Sequence, residues 1–224
     1  MKQLGIKDLK LAAHLFAIQT STGTFPDLYG VTDGKAVGTK IEANFKDYLS
    51  LAFDYSRGNA AHGIDLPSVN TDIKCTSIRQ PQSSSPFKSA SQKIYGLGYN
   101  LLVFVYEKTD DHDARAARLN MLHTIFIDAS RTADYQVTRS IREILDSEYS
   151  RESCIESIDA LLEDKNIPLD EISRRQLAER LVDEPPNQGV LTISNALQWR
   201  LQYSRAIAMA DDYIYPNEVI ELAE

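Results

Sequence analysis

Residues 101–106 read LLVFVY, an apolar run with no polar face. A strand that is apolar on both faces must be covered on both, so this run predicts a central strand in a sheet flanked by helices. The preceding tract narrows the topology. Residues 71–79 (TDIKCTSIR) are rich in β-branched side chains and predict a second strand. Between the two lie Pro81, Pro86 and four serines within 83–89. They predict a loop, then a helix capped by Ser85 or Ser89 that ends near the glycines of YGLGYN. Strand, helix and apolar strand make a crossover unit in a mixed sheet.

Periodicity extends this plan in both directions. Leu9, Ala12, Ala13, Phe16 and Ala17 predict an amphipathic helix over residues 6–19. Val37, Ile41, Phe45, Tyr48 and Ala52 predict another over about 36–55, with Glu42 at the edge of its apolar stripe. Residues 111–120 read as polar and helical, and 121–128 (MLHTIFID) as a further strand in which His123 packs into the core. From Thr132 to near Asp211 the chain reads as helical, with breaks at 166–168 and 184–189. The expectation is one α/β domain: a mixed sheet flanked by helices at about 36–130, and a helical region at about 131–224.

The chemistry concentrates in residues 62–79 (HGIDLPSVNTDIKCTSIR). On a strand, Asp72 and Lys74 share a face and Ile73 points the other way. Asp65 lies seven residues before Asp72, with Pro67 and Asn70 as turn material between them. Two short strands joined there would bring Asp65 beside Asp72 and Lys74. An Asp-x-Lys on a strand is equally what a solvated face with a weak ion pair would carry. With the helix before it and the helix and apolar strand after it, however, the arrangement resembles the PD-(D/E)XK nuclease superfamily, which includes most type II restriction endonucleases. The resemblance covers about 36–106. Ile64 stands where that pattern has proline, and the short gap is similar to that of the bacterial mismatch-repair nicking endonuclease. Some members carry Gln-x-x-x-Tyr on the following helix; Gln92 is followed by Tyr95 and Tyr99 here, so no role is carried over.

The resemblance implies a restriction endonuclease-like core that hydrolyses DNA to a 5′-phosphate and a 3′-hydroxyl. Asp65 and Asp72 would hold Mg²⁺ through oxygen, with the backbone carbonyl of Ile73 completing the shell. Lys74 would orient the attacking water and stabilise the charged phosphate. Glu42 is a candidate further metal ligand, or simply a boundary charge on its helix. A minimal cutter of this size suggests a type II restriction enzyme, and a repair nickase of the same superfamily is the alternative.

Charge placement fits a polyanionic substrate. Net charge is −8, which argues against a non-specific DNA binder. Yet residues 73–106 contain no acid, although 32 acids in 224 residues would put about five there. The same tract carries Lys74, Arg79, Lys88 and Lys93, of which the last three are candidate DNA contacts. In the helix expected from near Thr192, Ile193, Leu197, Leu201 and Ala208 form an apolar stripe. On another face stand Asn195, Gln198, Gln202 and Arg205, the residue types of major-groove readout, which an exposed helix would also carry for solvation.

Rival readings are weaker. There is no GxSxG, Walker-type loop or HExxH, and the four histidines lack ligand spacing. ISRRQLAERLV (172–182) and residues 194–205 superficially suggest the helix-turn-helix of a DNA-binding regulator, but the connection is too long. Cys75 and Cys154 form no metal or disulfide pattern, and Asp8 and His14 interrupt the one leader-like stretch. A cytoplasmic protein without membrane spans is expected, with double-stranded DNA as partner. Cutting both strands of a palindrome predicts a homodimer, and a cognate DNA methyltransferase would complete the system.

Overall fold

The apolar run lies inside a much longer strand. The computed structural model of the chain describes residues 1–56, 63–86, 88–147, 150–194, 199–211 and 219–221. In chain order its elements are β1 (Lys2–Gln3), α1 (Ile6–Thr22), α2 (Gly34–Ser50), β2 (Phe53–Asp54), β3 (Thr71–Ser77), β4 (Gln82–Ser85), α3 (Gln92–Tyr95) and β5 (Asn100–Asp111). There follow β6 (Ala116–Ile127), α4 (Tyr135–Ser147), α5 (Arg151–Asp164), α6 (Glu171–Asp183), β7 (Thr192–Ile193), β8 (Trp199–Gln202), α7 (Ser204–Asp211) and β9 (Val219–Glu221). The class is the expected one: α/β, with mixed sheet and flanking helices. Two compact units divide the chain: Met1–Ser83, Tyr99–Asp128 and Ala206–Glu224 in one, Ser84–Gly98 and Ala129–Arg205 in the other.

The first unit holds a four-stranded sheet in the order β3-β5-β6-β9. β3 and β5 run parallel, with Asp72 opposite Leu101 and Lys74 opposite Val103, as the crossover predicts. β5 and β6 are antiparallel. Residues 101–105 are inaccessible to solvent because the sheet is covered. Phe16 of α1, Phe45 of α2 and Phe104 of β5 meet with ring centroids 5.0 to 5.6 Å apart. Burying each ring contributes about 1.5–3 kcal/mol, which fixes both helices against the strand.

The expected helix at 111–120 is not there. β5 continues to Asp111, and β6 starts at Ala116 directly opposite it. Burial across Ala117, Arg118, Leu119, Asn120 and Met121 alternates in, out, in, out, in, a period of two that only a strand produces. The turn is local chemistry: Arg115 takes a φ of 48°, and Ala114 N donates to Asp111 Oδ1 at 2.9 Å. The polar residues mark the exposed tip of a long hairpin.

The second unit contains α4, α5 and α6, whose buried faces (Val137, Ile141, Ile155, Ile158, Leu162, Leu177, Leu181) form one cluster with Ile94 of α3. Helix was the right expectation here as far as Asp183. Beyond it the expectation fails, because Thr192–Ile193 pairs antiparallel with Leu201–Gln202. Trp199 and Leu201 are buried while Arg200 and Gln202 are exposed, again a period of two. Asp134 anchors β7 from inside: Ile193 N donates to its Oδ2 at 2.8 Å and Val137 N to its Oδ1 at 3.0 Å. The helix proper begins only at Ser204.

The serine-rich segment also departs from expectation. β4 occupies part of the predicted loop, and α3 is a four-residue helix. Ser89 Oγ receives Ser91 N and pairs with Ser91 Oγ, so it shapes the turn ahead of α3. A three-stranded sheet has the order β4-β8-β7, and β1 pairs with β2 in a two-stranded one.

Candidate active site

Two pieces of chain assemble the site, a loop and the start of β3. Leu66 and Thr71 exchange backbone hydrogen bonds of 2.9 and 3.2 Å, and a 3₁₀ turn at Pro67–Val69 closes the loop between them. Pro67 presets the turn's φ. Asn70 closes it in the left-handed region at φ 47°, a conformation its short polar side chain tolerates. Leu66 and Val69 are buried and anchor the loop on the core. A bridge and a single turn, instead of the two expected strands, bring Asp65 alongside β3.

There its Oδ2 accepts a 2.9 Å hydrogen bond from Ile73 N. Asp72 is nearly buried, and its Oδ2 lies 2.6 Å from Lys74 Nζ on the same face of β3. Ile73 points oppositely, into the core. Asp65, Asp72 and Lys74 therefore converge as the spacing predicted.

Burial pushes the Asp72 carboxyl up to about 6; the Lys74 ammonium opposes this and the nearby Asp65 adds to it. Burial works the same way on Asp65, but hydrogen bonds from Asp72, Lys46 and Ile73 N outweigh it and hold that carboxyl below the usual range. Lys74 and Lys46 each offset one of these neighbouring carboxylates, yet burial still leaves Asp72 harder to ionise than an ordinary carboxyl, and a further cation would relieve that. That demand for positive charge, together with hard oxygen donors, fits a divalent cation such as Mg²⁺. Among the described residues no group of three or more His, Cys, Asp or Glu could hold a metal ion by itself. Backbone, water or phosphate oxygen would have to complete a shell here, which is how Mg²⁺ is usually bound.

Helix α2 supplies a third charged layer. Asp33 caps it by accepting from Lys35 N at 2.9 Å. Gly38 lets it approach β3 closely: a Cβ at that position would come within 3.3 Å of the Cys75 carbonyl oxygen. Four and eight residues on, along the same side, stand Glu42 and Lys46. Lys46 Nζ bonds Glu42 Oε1 at 2.6 Å and Asp65 Oδ1 at 2.7 Å. Glu42 thus reaches the aspartates through a lysine. Burial opposes charge on Lys46, yet its bonds to Asp65 and Glu42 raise its pKa above the ordinary lysine value. Sequence reasoning missed this residue, although its i+4 spacing from Glu42 was a readable signal.

The candidate DNA contacts scatter. Arg79 is exposed just beyond β3 and lines a cavity of about 290 Å³ with Ser77, Tyr106 and Lys108. Lys88 is exposed. Lys93 is buried, and burial lowers its pKa, which does not suit a surface phosphate contact. Asn195 and Gln198 lie outside the described residues. Gln202 is exposed on β8, and the Arg205 guanidinium stacks 3.6 Å from the centre of the Tyr135 ring. The predicted four-residue reading face needs a helix, and Gln202 sits on a strand instead. The helix-turn-helix alternative fails for the same reason, since 194–205 includes β8 and only the first two residues of α7.

Comparison with known proteins agrees with the geometry. A family model described as "Type II restriction enzyme NspV" matches residues 3–214. The type II restriction enzyme NspV of Nostoc sp. (strain ATCC 29411 / PCC 7524) is 53% identical over 210 residues, covering 94% of each chain. No solved structure matches.

Proposed function

The chain belongs to the family of the type II restriction enzyme NspV, and from that membership we propose a site-specific endonuclease that cuts double-stranded DNA with Asp65, Asp72 and Lys74 as its catalytic residues and Mg²⁺ as cofactor. The observation that carries the reading is the convergence of two carboxyls and one ammonium at the start of β3.

Asp65 and Asp72 would hold the metal, with the main-chain carbonyl of Ile73 as a third donor. Bound there, Mg²⁺ supplies Lewis-acid polarisation of the scissile phosphate and lowers the pKa of a coordinated water. Lys74, 2.6 Å from Asp72, orients the attacking water and meets the negative charge that develops on the phosphate. Ile73 N and Lys46 keep the Asp65 carboxylate in one orientation, which spares that rearrangement during the reaction. Arg79 and Lys88, both exposed, contact DNA phosphates and set the salt dependence of binding.

A palindromic site cut on both strands by one active site per chain calls for a two-fold dimer. The self-cleavage hazard of such an enzyme calls in turn for a cognate DNA methyltransferase. Incubation with plasmid DNA and Mg²⁺ tests the proposal: discrete linear fragments are expected, with no cutting in excess EDTA. Nicks alone from a 1:1 protein–duplex complex would favour the repair-type alternative, and robust cutting in EDTA would sink the metal assignment. Among the described residues no helix is long and apolar enough to cross a membrane; the cytoplasmic setting we propose follows from the DNA substrate.

A further inference from the structure

Lys46 is the charged member of the site to which the aspartate–lysine mechanism gives no contact with water, metal or phosphate. Its ammonium stands between two carboxylates from different parts of the chain, Glu42 on α2 and Asp65 on the loop, at 2.6 and 2.7 Å. All three side chains are partly buried, Lys46 and Asp65 more than Glu42. Oxygen on both sides of a partly buried positive charge is the environment of a bound cation. Here the cation is covalently part of the protein, and α2 delivers it from a position fixed by the close approach of Gly38 to Cys75.

The carboxylates also divide into two pairs. Asp65 and Asp72 are joined by a hydrogen bond, with Lys74 on Asp72, whereas Asp65 and Glu42 flank Lys46. Asp65 belongs to both, as a carboxylate bridging two metal ions would. The geometry points to Lys46 as a built-in cation that takes the place of a second metal ion between Glu42 and Asp65, so that each chain holds one divalent ion. This rests on the reading of Asp65 and Asp72 as metal ligands. It makes Glu42 a positioning residue that acts through Lys46. A purely structural ion pair would make no such statement about metal number.

Counting bound Mn²⁺ on the full-length, DNA-free protein by electron paramagnetic resonance tests it. One ion per wild-type chain is expected, and two per chain in Lys46→Met, where an uncharged side chain of similar length vacates the Glu42–Asp65 pair. The double variant Glu42→Gln/Lys46→Met should return to one, because the vacated pair has lost half its charge. Lys46→Gln provides the same reading if Lys46→Met does not fold, which circular dichroism will show. Two ions on the wild type, or one ion on a folded Lys46→Met, would overturn the inference. Failure of the underlying site looks different: no Mn²⁺ on the wild type, or unchanged binding in Asp72→Asn, would remove the aspartates themselves as ligands.

Discussion

The amide of Ile73 donates a 2.9 Å hydrogen bond to Asp65 Oδ2, tying a loop carboxylate to the strand that bears Asp72 and Lys74. The bond leaves Asp65 with one edge on the backbone and the other on Lys46. A side chain held on both edges loses little further freedom when a ligand arrives, which favours binding and catalysis alike.

Asp65→Asn should lower cleavage by about a hundredfold or more, the scale of losing one charge-stabilising contact. An amide cannot accept on both edges, so both metal charge and orientation are lost. Ca²⁺ should support specific DNA binding by the wild type without cutting, because its larger and looser shell positions and polarises water poorly. A gel-shift and plasmid-cleavage series with Mg²⁺, Ca²⁺ and EDTA measures both.

Lys74→Ala should leave fold and DNA binding near wild type while cleavage falls at least about a hundredfold, a few kcal/mol of transition-state stabilisation. Single-turnover rates on a short duplex give the number. Wild-type rates in this variant would remove Lys74 from the mechanism.

Metal binding should depend on pH through Asp72. Its carboxyl is raised from the ordinary 3.8 to about 6, so below pH 6 a proton competes with the metal. Apparent Mn²⁺ affinity should then fall about tenfold for each pH unit below 6. The sign for metal-free folding is opposite to that for binding. A raised carboxyl stabilises the fold below pH 3.8, and that contribution is lost as pH rises through 6. Metal should therefore stabilise most above pH 6, which thermal melts with and without Mn²⁺ can read.

Asp134→Ala should destabilise the second unit by about 2 kcal/mol or more. It strands two buried amides, Val137 N and Ile193 N, that its carboxylate now accepts, and each unmet buried donor costs about 1–3 kcal/mol. Urea unfolding followed by the fluorescence of Trp199, the chain's single tryptophan and a neighbour of β7 through β8, reports it.

Much of the first unit was legible in the sequence because its signals are local. An apolar run is buried wherever it lies, a strand sends Asp72 and Lys74 to one side by its own pleat, and Pro67 with Asn70 turns the chain back within five residues. The parallel crossover followed from those same strands. What the sequence could not specify is where polarity reflects position and not periodicity. Residues 111–120 are polar because they form the exposed end of a hairpin, and only pairing with β5 reveals their alternation. Residues 192–202 carry spacings that suit a helix and a strand equally, and at 192–193 and 199–202 buried Asp134 and the pairing of β7 with β8 decide for the strand. Lys46 belongs to the same class: its charge was visible, but its meeting with Asp65, 19 residues away, exists only once α2 is packed on β3. Local chemistry is written into neighbouring residues, while the partner of a charge is chosen by the fold.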